Sequence, residues 1–110
     1  MEYISLPFAP GTADLTEEIS RTLNSNVLEP MKENPGLRLQ IQAFSSATSR
    51  GVSSARRMSL SRALSIRAFL LDQGIPAHRM DVRALGSKTD RQPLDRVDLV
   101  FFSAANTAAN

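Results

Sequence analysis

The chain has no cysteine and no tryptophan, and only one tyrosine among its 110 residues. The absence of cysteine excludes disulfides, thiolate metal sites and a cysteine nucleophile. No segment approaches the roughly 20 consecutive apolar residues that a membrane helix requires, and no basic-then-apolar signal peptide opens the sequence. We therefore expect a core of leucine, isoleucine, valine and alanine, and no membrane insertion by this segment.

Acidic residues are missing from the centre of the chain. No acid lies between Glu33 and Asp72, whereas six arginines fall there: Arg38, Arg50, Arg56, Arg57, Arg62 and Arg67. The formal net charge is only +2, which is too small on its own to indicate nucleic-acid binding. The strands also lack the aromatic platform on which single-strand binders stack bases, so we expect no nucleic-acid partner.

Catalytic and metal-binding motifs are missing as well. The sequence contains no Gly-rich phosphate loop, nucleophile elbow or zinc motif. His78 is the only histidine, and no other potential metal ligand lies close to it in sequence. We therefore predict a protein that is not an enzyme and that uses no metal and no cofactor.

Four segments have the hydrophobic pattern of strands: residues 3–8, 37–44, 79–85 and 97–102. Pro7 favours an edge position for the first strand, because proline cannot donate a hydrogen bond to a neighbouring strand. We expect one domain over residues 1–102, followed by a flexible, small and polar tail at 103–110.

The first segment with helical spacing follows the first strand. Apolar residues recur at every fourth position from Leu15 to Met31, which predicts an amphipathic helix. Thr12 or Asp14 is expected to cap its start. Pro30 is expected to kink the helix or to end its first part.

A second helix is predicted between the second and third strands. Ser53 or Ser54 can cap its start, and Gly74 marks its end. Its sequence carries four arginines and no acid before Asp72. The whole pattern predicts an α+β fold of β-α-β-α-β-β order, a two-layer sandwich with two helices packed on one face of a mixed sheet.

Three motifs of the chain point to one family. The run Met58-Ser59-Leu60-Ser61-Arg62-Ala63 precedes Gly74-Ile75-Pro76, and Leu94-Asp95-Arg96-Val97-Asp98 comes near the end. These segments resemble the Leu-Ser-x-x-Arg-Ala, Gly-Ile and Asn-Arg-Arg-Val-Glu motifs of the OmpA C-terminal-like domain family. That family is the peptidoglycan-binding module of outer-membrane proteins, peptidoglycan-associated lipoproteins and flagellar stator proteins. The resemblance implies a structural domain in the periplasm of a Gram-negative bacterium, within a longer envelope-anchored protein.

The resemblance also implies a binding site. In the family, an aspartate binds the ammonium of diaminopimelate in the peptidoglycan stem peptide, and the arginine of Leu-Ser-x-x-Arg-Ala binds its carboxylate. This chain has Arg62 at the arginine position but Ser46 at the aspartate position, so we expect weakened or altered peptidoglycan contact through a stem-peptide carboxylate. The implied ligand-binding residues are Arg62, Ser46, Ser45, Thr48 and Arg56. Ser46→Asp is then expected to create or strengthen diaminopimelate binding.

Arg62 and Arg56 also have interpretations without a ligand. Arg62 can be a structural arginine that bonds loop carbonyls or a carboxylate such as Asp95 or Asp98. Arg56 can belong to a solvated helix face.

Leu60 and Leu64 lie beside the predicted apolar stripe of the second helix. They either widen its buried face or form an exposed patch for a protein partner or a second copy of the chain. The alternative function is therefore a degenerate OmpA-like fold that serves as a protein–protein interaction or assembly module without peptidoglycan binding.

Overall fold

Four strands form one mixed sheet in the computed structural model, which describes residues 3–47 and 51–103. The strands are β1 Tyr3–Pro7, β2 Leu37–Phe44, β3 Met80–Gly86 and β4 Arg96–Ser103. Their order across the sheet is β1-β4-β2-β3. Strands β2 and β3 run parallel, and β4 is antiparallel to both β1 and β2. The predicted α+β class and mixed sheet are confirmed, and β1 lies at an edge as Pro7 indicated.

The first helical segment is continuous but not uniform. It consists of α1 Glu17–Leu23, a π-helical segment Asn24–Leu28 and α2 Glu29–Glu33. Pro30 lies in the first turn of α2. Proline has no N–H to donate, and its ring crowds the carbonyl four residues earlier. The wider π turn accommodates both effects, so the predicted interruption takes the form of a π segment.

The start of α1 differs from the prediction. Thr16 caps the helix, because its Oγ1 accepts a hydrogen bond from the Ile19 N–H at 3.2 Å. The expectation that Thr12 or Asp14 would cap it is wrong. The Thr12 Oγ1 instead accepts from the Asp14 N–H at 3.0 Å, which closes a turn ahead of the helix.

Helix α3 spans Val52–Asp72. Gly51 is its N-cap residue, with no capping side chain, so the predicted caps Ser53 and Ser54 are wrong because both already lie inside the helix. The end is as predicted, since Gly74 has a φ of +99° and its N–H donates to the Leu71 carbonyl at 3.0 Å. Glycine adopts this left-handed conformation without steric cost.

The core lies between the helices and one face of the sheet. From Ile19 on, the predicted stripe of the first helical segment is buried there, as are the alternating residues of β2 from Leu39 on and side chains of α3 and β4. Leu15 and Leu37 are only partly buried against this core. Its fully buried members include Leu23, Val27, Met31, Leu39, Ile41, Ile66, Leu70, Val97 and Leu99. Strand β4 runs to Ser103, and residues 104–110 of the expected tail lie outside the described residues.

Candidate functional site

Strands β2 and β3 end, and β4 begins, at one edge of the sheet. Ala43 near the end of β2 pairs with Ala84 of β3 and with Val97 of β4. Beyond the strands, the Ser45 N–H donates to the Gly86 carbonyl at 2.8 Å. We call this region, from Phe44–Ser46 across to Gly86 and Asp95, the site edge.

Gly86 holds the first half of α3 against the site edge. Its N–H donates to the Ser59 Oγ at 3.0 Å, and that hydroxyl donates to the Arg56 carbonyl at 2.8 Å. A Cβ at Gly86 would lie 3.2 Å from both the Cα and the backbone N of Arg56. A side chain there would push the helix backbone away by a few tenths of an ångström, and the φ of +57° also favours glycine. The close approach places the backbone of Arg56 next to the site edge.

Arg62 lies behind the site edge and is fully buried. Its Nε donates to the Thr12 carbonyl at 2.8 Å, and its Nη2 donates to the Ala9 carbonyl at 3.0 Å. Its Nη1 donates to the Phe44 carbonyl at 3.0 Å and to the Asp95 Oδ1 at 2.8 Å. Every guanidinium nitrogen is therefore hydrogen-bonded within the protein, to three backbone carbonyls and one carboxylate. These are the contacts expected of a structural arginine.

Asp95 occupies the outer side of this ion pair. Its side chain is 14% exposed, against 0% for Arg62. Its Oδ1 accepts from the Ser46 N–H at 3.1 Å, and the Ser46 Oγ lies 3.3 and 3.1 Å from the two carboxylate oxygens. Asp95 was absent from the predicted ligand set. The sequence did contain a signal for its role, because Asp95 is an acid at a position where the family motif has arginine.

The surroundings of Asp95 favour its ionised form. Burial alone would raise the pKa of this carboxyl. Hydrogen bonds from the Arg62 guanidinium and from the backbone and hydroxyl of Ser46, together with the Arg62 charge, outweigh burial and hold the pKa below its ordinary value.

This lowered pKa predicts acid sensitivity. The stabilising contribution of Asp95 is complete above the unfolded-state pKa of about 3.9. It is lost as the pH falls through the lower folded-state pKa. Below about pH 4 we therefore expect the urea midpoint of the wild type to fall more steeply with pH than that of Asp95→Asn. Parallel curves for the two proteins would contradict the pairing.

The other predicted ligand residues differ in their positions relative to the site edge. Ser45 and Ser46 lie on the site edge, with Ser45 only 4% exposed. Arg56 is exposed, and among residues 3–47 and 51–103 its guanidinium has no hydrogen bond or ion pair. Thr48 lies outside the described residues.

An open cleft of about 460 Å³ lies beside Arg56. It has the size of a small-ligand pocket and combines two arginines with apolar side chains. Its lining residues are Val52, Ser53, Arg56, Arg57, Leu60 and Ala84.

Leu60 and Leu64 point away from the core. They are 41% and 44% exposed, so they do not widen the buried face of α3. Leu71, which lies seven residues after Leu64 and therefore on the same side of the helix, is 37% exposed. The three leucines form an exposed apolar strip.

The part of the chain that the structure describes contains neither a membrane-spanning helix nor a metal-binding cluster. No helix there is long and apolar enough to cross a membrane. The same residues include no group of three or more histidine, aspartate or glutamate side chains placed to bind a metal ion.

The sequence model of the OmpA family matches residues 7–97, which is most of the chain and includes the whole site edge. No curated protein matches the chain in sequence.

Solved structures share the fold at low sequence identity. The periplasmic domain of Helicobacter pylori MotB has a TM-score of 0.74 at 14% identity, over 97% of this chain and 86% of that chain. The peptidoglycan-associated lipoprotein from Burkholderia pseudomallei has a TM-score of 0.73 at 19% identity, over 89% of each chain. The OmpA-like domain of FopA1 from Francisella tularensis has a TM-score of 0.73 at 15% identity, over 92% of this chain and 72% of that chain.

Proposed function

The chain belongs to the OmpA family, and we propose that it is a non-catalytic periplasmic domain that binds peptidoglycan non-covalently through a carboxylate of the stem peptide. Two of the similar structures are a periplasmic domain and a peptidoglycan-associated lipoprotein. This similarity supports the proposal of a periplasmic domain that binds peptidoglycan. We further propose that the domain belongs to a longer, envelope-anchored protein of a Gram-negative bacterium.

The observation that carries the proposal is the position of Arg56. Its guanidinium is exposed, and its backbone is held against the site edge by Gly86 and Ser59. A guanidinium binds a carboxylate through two parallel hydrogen bonds, a geometry that a lysine ammonium does not offer. In this proposal Arg56 takes the ligand carboxylate at the open cleft beside it, and Ser46 on the site edge supplies a further polar contact.

Arg62 acts in this proposal as a positioning residue. Its three nitrogens hold Phe44, Asp95 and the loop before α1 in place, so the site edge keeps its shape. Thr48 remains a predicted ligand contact.

Co-sedimentation with purified Gram-negative peptidoglycan sacculi tests the proposal. We expect the wild-type domain in the pellet and an Arg56→Ala variant bound at least about tenfold more weakly, the effect of losing one charge-assisted contact. Arg67→Ala is the matched control, because it removes the same charge from the same helix about 16 Å away. An unbound wild type, or equal losses for both variants, would contradict site-specific binding.

The strip of Leu60, Leu64 and Leu71 supports a second candidate, a protein interaction or assembly module. Three leucines on one exposed helix face can pack against another apolar surface. Self-association that Leu64→Glu abolishes, without any binding to sacculi, would favour this candidate over the first.

A further inference from the structure

A line of five residues runs along the outside of α3. They follow one another at alternating intervals of three and four positions, which keeps side chains on a single stripe of a helix. We call this stripe, about 21 Å long, the outer seam. Its members are Arg57, Leu60, Leu64, Arg67 and Leu71, and all five lie off the buried side of α3.

The leucines of the outer seam are open to a partner. Leu60, Leu64 and Leu71 each expose more than a third of their surface. Leucines repeated at this spacing pack between the side chains of a facing helix, as in a coiled coil. The apolar part of the outer seam therefore has the geometry of a contact with another helix.

The arginines of the outer seam carry charge that the described residues leave unpaired. Helix α3 has no acid before Asp72, so neither Arg57 nor Arg67 has an acidic neighbour three or four positions away. Among residues 3–47 and 51–103, neither guanidinium has a hydrogen bond or an ion pair. A carboxylate on a facing helix would form charge-assisted hydrogen bonds with them.

We propose that the outer seam binds an acidic amphipathic helix of another protein. This helix carries apolar side chains at heptad spacing against the leucines, and glutamate or aspartate opposite Arg57 and Arg67. The inference does not depend on the proposed peptidoglycan contact, because Leu64, Arg67 and Leu71 do not line the cleft beside Arg56. It specifies the chemistry of the partner that the exposed leucines fit.

A second copy of this chain matches the outer seam less well. Two α3 helices facing each other would bring Arg57 and Arg67 of both copies into one contact without an acid, and like charges oppose association. The first helical segment does expose acids, Glu17 and Glu18 among them, but its apolar stripe is buried in the core from Ile19 on. That surface offers charge without apolar side chains to cover the leucines.

The outer seam also differs from the face with which an interfacial helix binds a membrane. Such a helix has a broad apolar face and a separate basic face. Here Arg57 and Arg67 alternate with the leucines on one line. A narrow line of mixed apolar and basic character matches the contact between two helices.

Two synthetic peptides and four proteins test the inference. Each peptide has three heptads with leucine at the first and fourth positions. The acidic peptide has glutamate at the fifth and seventh positions, and its twin has lysine there. The proteins are the wild type, the charge-reversed variant Arg57→Glu/Arg67→Glu, Leu64→Glu, and the control Arg83→Glu. Arg83 is an exposed arginine of β3, away from the outer seam, and Kd is measured by calorimetry.

We expect the wild type and Arg83→Glu to bind the acidic peptide at least about tenfold more tightly than its twin, the effect of charge-assisted contacts. The charge-reversed variant is expected to prefer the lysine peptide. Leu64→Glu is expected to weaken binding of the acidic peptide at least about tenfold, and it decides the outcome if the charge-reversed variant does not fold. Amide shifts in the wild-type complex are expected at Leu60, Leu64 and Leu71.

Several results would overturn the inference and leave the proposed function intact. They are the absence of binding to either peptide, equal binding of both, and an unchanged preference in the charge-reversed variant. Dimers of the wild type that Leu64→Glu abolishes, seen by sedimentation velocity, would instead assign the outer seam to a second copy. Binding to vesicles of phosphatidylethanolamine and phosphatidylglycerol that the charge-reversed variant loses, without binding to either peptide, would assign it to a membrane.

Discussion

Arg62→Ala is expected to lower the free energy of unfolding by about 3–5 kcal/mol, the cost of removing one partner from a buried ion pair. The substitution takes a donor away from the Thr12, Phe44 and Ala9 carbonyls and from Asp95. It also empties the space of a fully buried side chain. Because domains of this size are stable by about 5–15 kcal/mol, the variant is expected to be close to unfolding.

Arg62→Lys is expected to rescue little of this loss. A lysine ammonium cannot reproduce the planar, fork-shaped set of donors that reaches four acceptors. Urea denaturation measures both variants, with Arg67→Ala as the control for charge removal from α3. A loss for Arg62→Ala that is no larger than that of Arg67→Ala would contradict the structural role of Arg62.

Asp98→Ala is expected to be the second severe substitution, again costing about 3–5 kcal/mol. Asp98 and its partner Arg96 are only 1% and 3% exposed. Both Asp98 carboxylate oxygens lie 3.2 Å from the Arg96 Nε, and the Arg91 Nη2 donates to Oδ2 at 2.6 Å. Removing the carboxylate leaves the Arg96 charge buried in the sheet beside the Phe44 ring, where water cannot replace the lost partner.

A matched control for Asp98→Ala is Asp81→Ala. Asp81 forms an ion pair with Arg38 at 3.3 Å, but their side chains are 47% and 34% exposed. Such surface pairs contribute about 0–1 kcal/mol. Similar shifts of the urea midpoint for the two variants would show that burial does not set the strength of the Asp98 pair.

The strands and most of the core could be predicted from sequence because their signals are local. Alternation over residues 37–44 and the four-residue spacing from Ile19 to Met31 place side chains on one face of each element without knowledge of the rest of the chain. Helix caps depend on the local backbone path at single residues, which is why Thr16 and Gly51 were missed.

The burial of Arg62 had a sequence signal. It shares the spacing of Ala55, Ser59, Ala63, Ile66 and Leu70, which all lie on the buried side of α3. Side-chain type favoured the opposite placement, because arginine is rarely buried without a partner. Its carboxylate partner, Asp95, lies 33 residues away in sequence, and that contact follows from the tertiary fold.

The placement of Asp95 also changes the expected effect of Ser46→Asp. Sequence alone predicts that this substitution restores the missing acid. In the structure it puts a second carboxylate within hydrogen-bond distance of Asp95, and two adjacent like charges disfavour ionisation of both. Ser46→Asp is therefore expected to strengthen diaminopimelate binding only when Asp95 is neutralised in the same variant.

An amide NMR titration of the labelled domain with a diaminopimelate-containing tripeptide is the most direct test of the central claim, that the site edge binds the peptidoglycan stem peptide. We expect saturable shifts at roughly millimolar peptide, concentrated at Ser46, Arg56 and Asp95. Unchanged spectra at that concentration, or shifts confined to Leu64 and Leu71, which do not line the cleft beside Arg56, would contradict the claim.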